Sequence, residues 1–315
     1  MPAPYASRYG GSVTDAISPS GRQFPISAAG QRAVVVEVGG GLREYGTADR
    51  PVLAGYPADV MQPHSAGAVL VPWPNRIGGG SYTFRDKTYQ LGLTEPARGN
   101  AIHGLARWVR WQLVEHTDDA VELVCDLAPQ TGYPFSLRAS VRWSIGPDGL
   151  RADHHAQNLG RNPAPYGLGT HPYLHLGTTE LPEAALRLPA ATRLLLDERA
   201  CPVGRESVAG GEYDFRAGRK LGELRLDTPF ADLDRDDAGI ATARVELAGG
   251  AATEVWMDEA FGYLQAYTVT GFSVGVDAVA VEPMTCAPDA FNSGDGLVKL
   301  APGAEWSGSW GIRPV

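Results

Sequence analysis

Apolar and polar residues alternate in short runs along the whole chain, and a period of two is typical of strands with one buried face. The clearest run is residues 136–145, in which every second residue is apolar. The pattern predicts strands over residues 33–38, 69–73, 81–84, 88–91, 111–115, 120–127, 136–145, 242–247, 253–257, 261–269 and 278–281, with a closing strand at 306–310. Amphipathic helices longer than a few turns are not predicted.

Turn-forming residues separate the strands. Gly146-Pro147-Asp148-Gly149, Arg85-Asp86-Lys87 and Gly249-Gly250 each lie between two strands. Since Gly and Asp tolerate the positive φ that tight turns need, each segment predicts a β-hairpin. The 39 glycines and 24 prolines leave little room for long helices. We therefore predict a single all-β domain over residues 1–315, a sandwich or a barrel of many strands.

Charge and cysteine content exclude several classes of protein. The net charge is −9 and there is no basic run, so nucleic-acid binding is not expected and an anionic membrane surface would repel the chain. Cys125, Cys201 and Cys286 are odd in number and far apart, which predicts neither a disulfide framework nor a zinc site. Residues 1–12 lack the apolar core of a signal peptide, and no apolar stretch approaches a membrane span, so a cytoplasmic location is expected.

Five polar segments along the chain are candidates for chemistry. In the first, two prolines end a strand and place Asn75 and Arg76 on a loop, where the guanidinium fork suits vicinal oxygens. In the second, His103 precedes a glycine that allows close approach, and Trp108 and Trp111 add aromatic faces. Taken alone, each segment has a simpler interpretation. Arg76 would be a surface arginine held by a carboxylate, and Trp108 and Trp111 would be core residues.

The other three segments supply titratable groups. His171, held extended by the following proline, is the type of side chain best suited to move protons near neutral pH. Asp227, with Asp232 nearby, could hold hydroxyl groups, although Asp also commonly starts turns. Glu282 ends an apolar run, and a carboxylate on a buried strand costs free energy unless it is paired or functional. Burial should raise the pKa of this carboxyl towards that of a useful base.

Two histidine pairs have only the spacing of metal ligands. His154 and His155 are adjacent on a predicted strand, so their side chains should point to opposite faces. His171 and His175 have the spacing of a zinc-binding helix, but Pro172 and the strand context predict an extended segment without the Glu that such helices carry. We therefore expect no metal and no other cofactor.

Taken in chain order, the five segments resemble the aldose 1-epimerase (galactose mutarotase) family. The matching residues are Asn75-Arg76, His103-Gly104, His171-x-Tyr173, Asp227-x-x-Phe230, Glu282 and the closing stretches Pro288-Asp289-Ala290-Phe291-Asn292 and Ala301-Pro302-Gly303. The resemblance covers residues 25–312 and implies a large antiparallel β-sandwich, the supersandwich of galactose mutarotases, with the sugar in an open cleft. Thr228 and Met284 stand where galactose-type relatives often have His and Gln, which indicates a divergent branch.

The resemblance also implies an activity and residue roles. The protein would interconvert the α and β anomers of a free hexose such as glucose or galactose, as a monomer or homodimer and without a cofactor. Glu282 would be the general base and His171 the general acid. The residues that bind the sugar would be Asn75, Arg76, His103, Tyr173 and Asp227.

Mutarotation needs one base and one acid, because the C1 hydroxyl loses a proton while the ring oxygen gains one. A carboxylate and an imidazolium suit these tasks, and ring closure returns both protons. Ordinary pKa values of about 6.5 for His and 4.3 for Glu leave a narrow window in which both are correctly protonated. We therefore expect nearby carboxylates to raise the pKa of His171 and the rate profile to be bell-shaped.

Three alternatives are open at this point. A hexose-6-phosphate 1-epimerase would share the fold and the acid/base chemistry, with Arg107, Arg98 and Arg110 as cationic groups for the phosphate. A glycoside hydrolase would need two carboxylates, for which Asp227 and Glu282 are available, but it would leave the histidine without a role. A non-catalytic sugar-binding protein would not require an ionisable base on a buried strand.

Overall fold

The computed structural model describes residues 17–315 without the side chain of Val274, so the expectation for residues 1–12 lies outside the described part. The strands are β1 (Gln23–Ala28), β2 (Gln31–Val36), β3 (Leu42–Thr47), β4 (Val69–Leu70), β5 (Arg76–Gly78), β6 (Ser81–Phe84), β7 (Lys87–Gln90), β8 (Asn100–Ile102), β9 (Gln112–His116), β10 (Ala120–Leu127), β11 (Leu137–Gly146), β12 (Gly149–Asn158), β13 (Ala164–Tyr166), β14 (Gly169–Thr170), β15 (Tyr173–His175), β16 (Ala185–Arg187), β17 (Ala190–Leu196), β18 (Pro202–Ser207), β19 (Arg219–Lys220), β20 (Asp227–Leu233), β21 (Ala241–Glu246), β22 (Ala252–Met257), β23 (Tyr263–Val269), β24 (Ala278–Met284), β25 (Val298–Leu300) and β26 (Glu305–Pro314).

Helical structure is limited to short pieces. They are α1 (Ala290–Ser293) and 3-10 turns at Pro63–Ser65, Leu181–Glu183, Ala248–Gly250 and Ser273–Gly275. None of the helices in the described part of the chain has the length and apolar content needed to cross a lipid bilayer.

Two large antiparallel sheets form the body of the molecule. The nine-stranded sheet has the order β19-β16-β21-β22-β26-β12-β11-β10-β9. The eight-stranded sheet has the order β18-β17-β20-β23-β24-β14-β4, with β15 also paired to β24. A three-stranded sheet, β1-β2-β3, and the pairs β5-β8, β6-β7 and β13-β25 complete the architecture.

One cluster of buried apolar side chains joins the two large sheets. It includes Leu123 and Val141 of the nine-stranded sheet and Leu264 and Val281 of the eight-stranded sheet, all fully buried. Alternate residues of each strand face this layer, because successive side chains of a strand point to opposite faces. The fold is therefore the large antiparallel β-sandwich that the family resemblance implies.

The three predicted hairpins are confirmed. β11 and β12 pair as far as Gly146 and Gly149, which leaves a two-residue turn. The turn between β6 and β7 consists of Arg85 and Asp86, both with the positive φ that a tight antiparallel hairpin requires. β21 and β22 are joined through the 3-10 turn Ala248–Gly250.

The predicted strand at 69–73 is shorter in the structure and consists of Val69–Leu70 alone. Pro72 and Pro74 follow it, and neither has the N–H group that a sheet ladder needs. The chain therefore leaves the sheet here and turns into β5, which pairs with β8 beside the edge of the eight-stranded sheet. Several strands were not predicted, among them β1, β3, β17, β18 and β20. In β18 most residues are exposed and no apolar alternation marks the strand.

Candidate active site

Glu282 lies on β24, a strand whose residues are all buried. Val279 and Val281 face the layer between the two sheets, so Glu282 faces the opposite side of the sheet. Its side chain is 2% exposed. Burial raises the pKa of this carboxyl well above its usual range, the charge of Asp227 raises it further, and Arg76 opposes both. The predicted direction is confirmed.

His171 and Gln265 flank Glu282 from the two neighbouring strands. Gly169 pairs with Met284 and Tyr173 with Ala280, and the same antiparallel register places His171 opposite Glu282. The Nε2 atom of His171 is 3.5 Å from Oε1 of Glu282, and the histidine is 6% exposed. The structure therefore brings the predicted acid and base together.

The expectation that carboxylates raise the pKa of His171 is wrong. Burial lowers the pKa of this imidazole to about 3, and the nearby His64 and Arg107 act in the same direction. A single carboxylate at 3.5 Å does not offset the loss of water around a side chain this deeply buried. Burial therefore disfavours the charged form of each partner, raising the pKa of the carboxyl and lowering that of the imidazole.

Asn75 and His103 enter the site on two facing turns. Arg76 pairs with Ile102 across β5 and β8, and the amide N–H of His103 donates to the carbonyl of Asn75 over 2.8 Å. Both turn residues have a positive φ, 51° for Asn75 and 62° for His103. Non-glycine residues seldom adopt this left-handed conformation, but Asn and His do so more often than most.

Gly104, which follows His103, lets this turn pack closely against the neighbouring chain. A side chain at this position would place its Cβ 2.1 Å from the carbonyl oxygen of Val71, so only glycine lets the turn pack against the segment that follows β4. The ring of His103 is buried, its plane is inclined by 72° to that of His171, and the ring centroids are 5.4 Å apart. Burial lowers the pKa of His103 well below its usual value, and the nearby His171, Arg107 and Arg76 lower it further. The ring is therefore a neutral donor or acceptor.

Arg76 is held by two carboxylates. Its Nε and Nη2 atoms donate to Glu95 over 2.9 and 3.0 Å, and Nη2 lies 3.8 Å from Asp227. Arg98 lies 3.4 Å from Glu95 and 3.6 Å from Asp227. These two arginines and two carboxylates form a charge-balanced group, which we call the Arg76 quartet. Glu95 was not predicted, since only the pairing of β5 with β8 brings its loop to Arg76.

Gln265 is a second residue that the sequence analysis missed. It lies opposite Glu282 on β23, is 2% exposed, and donates through Nε2 to Asp227 over 2.7 Å. Its Oε1 accepts a hydrogen bond of 3.2 Å from Asn75. Gln265 therefore links the loop to the sheet. A polar residue within the apolar run 261–269 is the same kind of anomaly that singled out Glu282.

Tyr173 completes the set, because its ring stacks on that of His171 with centroids 4.8 Å apart. All seven predicted site residues therefore lie in one site. Three other residues from the candidate segments do not contribute to it. Trp111 is buried in the core, Asp232 pairs with Arg205 at an exposed position, and Trp108 lies half exposed with the guanidinium of Arg107 over its ring.

A groove lies elsewhere on the molecule. It has a volume of 1420 Å³ and is lined mainly by β1, β2 and β3, with His116 and His175 at its margin. None of the seven predicted residues lines it. The candidate site is therefore assigned by its chemistry, the buried pair and the Arg76 quartet, rather than by the size of its cavity.

The sequence matches the family model for aldose 1-epimerase over residues 23–313. The chain belongs to the aldose 1-epimerase family. This family membership confirms the resemblance carried by the five segments and supports an epimerase role. It places the seven site residues inside the region that the aldose 1-epimerases share.

Individual relatives agree with the family assignment. The uncharacterized protein YihR of Escherichia coli is 34% identical over 287 residues, which is 90% of each chain. A GalM/aldose epimerase homologue from C. elegans has the same fold, with a TM-score of 0.82, 20% identity and coverage of 93% of this chain and 98% of the other. Galactose 1-epimerase from Lactobacillus acidophilus superposes with a TM-score of 0.77 at 17% identity, covering 92% of both chains.

Proposed function

We propose that this protein catalyses the mutarotation of a free hexose such as glucose or galactose, with Glu282 as general base and His171 as general acid. The observation that carries the proposal is the buried pair itself, with Nε2 and Oε1 3.5 Å apart on neighbouring strands. The family and the shared fold with a protein named galactose 1-epimerase support it.

The reaction requires that Glu282 and His171 together hold one proton, which lies on His171 when the C1 hydroxyl is deprotonated. The base removes the proton of the C1 hydroxyl while the acid protonates the ring oxygen, so that the bond between C1 and the ring oxygen breaks and an aldehyde forms. Rotation about the C1–C2 bond presents the other face of the carbonyl. The hydroxyl formed from the ring oxygen then attacks C1, and both protons return to the groups that held them. Each positioned transfer contributes about 10²–10⁴ in rate.

In the free protein burial favours the neutral forms of Glu282 and His171, so the general-base role of Glu282 requires that substrate binding favour its ionised form. Sugar hydroxyl groups that donate to the Glu282 carboxylate favour its ionised form, and the positive charge of Arg76 acts in the same direction. The imidazolium of His171 then forms beside a carboxylate, which stabilises it. The pair is therefore able to present the base and the acid together once the sugar is bound.

The surrounding groups suit a polyhydroxylated ligand. Arg76 and Asn75 offer donors, Asp227 offers an acceptor, and the neutral ring of His103 offers either. Asp227 is already held by Gln265 and faces two arginines, an arrangement that suits binding of hydroxyl groups better than the proton transfer required of a hydrolase.

The test is optical rotation after dissolving pure α-glucose or α-galactose with the wild-type protein. We expect faster equilibration than in buffer, in proportion to protein concentration. Binding of the sugars without faster equilibration, together with no turnover of the 6-phosphates, would contradict the proposal and favour a sugar-binding protein.

One observation favours a second candidate, a hexose-6-phosphate 1-epimerase. Arg107 is half buried and its Nη1 donates to the hydroxyl of Ser65 over 2.8 Å. Within residues 17–315 it has no salt bridge, unlike Arg76 and Arg98. The positive charge of Arg107 lowers the pKa values of His103 and His171. Arg107 therefore lies beside the site, where it could bind an anionic substituent of the sugar.

The two substrates are separated by comparing glucose with glucose 6-phosphate by exchange NMR, using the wild type and Arg107→Gln. For a free hexose we expect Arg107→Gln to change KM little. If the 6-phosphate is the substrate, the same variant should raise KM for the phosphate alone by about tenfold or more, since a charge-assisted bond is worth about 1.5–3 kcal/mol.

A further inference from the structure

The imidazole of His171 lacks the support that catalytic histidines usually have. One ring nitrogen, Nε2, faces Glu282, and the other, Nδ1, is buried without a hydrogen-bond partner among the described residues. The ring of a catalytic histidine is normally fixed by a hydrogen bond to this second nitrogen. Another contact must therefore set the orientation of His171.

Three aromatic rings are stacked beside the site. The rings of His171 and Tyr173 have centroids 4.8 Å apart and planes inclined by 15°. Tyr173 and Phe272 have centroids 4.2 Å apart and planes inclined by 21°. Two rings that lie nearly parallel to Tyr173 at these distances would collide on one face, so they occupy its opposite faces.

Phe272 lies in a turn that is held by hydrogen bonds between its own residues. It lies between β23 and β24, its amide N–H donates to Val276 over 2.7 Å, and the N–H of Gly271 donates to Asp277 over 3.0 Å. The ring is 4% exposed, although it follows an exposed glycine. Because β24 also carries Glu282, this turn is connected directly to the strand of the base.

We propose that Phe272 is a positioning residue, which holds the His171 ring against Glu282 by pressing on Tyr173 from its far side. The inference rests on the proposed acid role of His171. Phe272 stacks on Tyr173 and acts on His171 through that ring. The titratable and charged groups around His171 are Glu282, His103, His64 and Arg107, and Phe272 adds no charge to them.

The kinetic test compares Phe272→Leu with Phe272→Tyr. Leucine removes the stacked ring, and we expect kcat to fall by about tenfold with little change in KM, since a displacement of ~1 Å costs up to about 100-fold. Tyrosine keeps the ring and should restore kcat. Phe24→Leu is the matched control, because Phe24 is equally buried, at 5%, but lies on β1 away from the site.

A readout independent of turnover is the nitrogen-15 NMR signal of the His171 ring, assigned by its loss in His171→Asn. This signal should shift or broaden in Phe272→Leu, stay near its wild-type position in Phe272→Tyr, and be unchanged in Phe24→Leu. An unchanged signal together with an unchanged kcat in Phe272→Leu would overturn the inference. If the wild type turns over no sugar, the proposed function fails, while the NMR comparison still decides whether Phe272 orients His171.

Discussion

Each of the two large sheets carries one deeply buried histidine, and the two side chains face different groups. His154 on β12 and His171 beside β24 both have a pKa lowered by burial to about 3. His154 accepts a hydrogen bond of 3.0 Å from the indole of Trp310, whereas His171 faces the carboxyl of Glu282. Burial and a displaced pKa therefore do not identify a catalytic histidine. The feature that distinguishes His171 from His154 is the buried carboxyl of Glu282, 3.5 Å from its ring.

The chain surrounding each histidine reinforces this difference. His155, the neighbour of His154, points to the opposite face and pairs with Glu305 over 3.3 Å, as predicted for adjacent strand residues. Around His171 the polar residues Gln265, Asn75 and Asp227 converge instead. We infer that the nine-stranded sheet uses its histidine for packing and the eight-stranded sheet uses its histidine for chemistry.

Replacing each histidine in turn gives the largest expected difference. His171→Asn should lower kcat by about 10²–10⁴, because it removes one positioned proton transfer. His154→Asn should leave kcat unchanged and lower the free energy of unfolding by about 1–3 kcal/mol, because the indole N–H of Trp310 loses its acceptor. Progress curves of both variants give kcat, and thermal unfolding gives the change in stability. Equal loss of activity in both would contradict the comparison.

The pH dependence of kcat/KM sharpens the comparison at the site itself. The two groups titrate as a pair, and activity requires that the pair hold one proton. Because the pKa of His171 is lowered to about 3, the second proton binds only in strong acid, and the acidic limb should lie far below pH 6. The last proton leaves Glu282, whose pKa is raised, so the alkaline limb should lie well above the usual range of a carboxyl. An acidic limb near about 6.5, the ordinary histidine value, would contradict this assignment.

A smaller effect is expected on stability. The pKa of Glu282 is higher in the folded than in the unfolded state, so ionisation of the unfolded chain lowers stability as the pH rises above its ordinary value of about 4.3. Glu282→Gln removes this penalty and should increase the free energy of unfolding by about 1–3 kcal/mol at pH 8, with a smaller gain at pH 4. Urea unfolding at the two pH values gives the comparison. A variant that is less stable than the wild type at pH 8 would show that the carboxylate stabilises the fold.

Many strands of the fold are predictable from the sequence, because apolar alternation and turn residues depend only on neighbouring positions in the chain. Residues 120–127 and 81–84 are strands with the predicted bounds, and Glu282 stands out because a charge interrupts an apolar run. Gln265 gives the same indication one strand away. Glu95 gives none, because its contact with Arg76 depends on a tertiary pairing of short strands. The displaced pKa of His171 depends on burial, which the pattern around Pro172 does not reveal.

The most direct test of the central claim is the optical rotation of freshly dissolved α-glucose and α-galactose with wild-type protein, Glu282→Gln and His154→Asn. The account predicts rapid equilibration with the wild type and His154→Asn, and a rate near that of buffer alone with Glu282→Gln. Equilibration by Glu282→Gln at the wild-type rate would contradict the assignment of the buried pair as the catalytic base and acid.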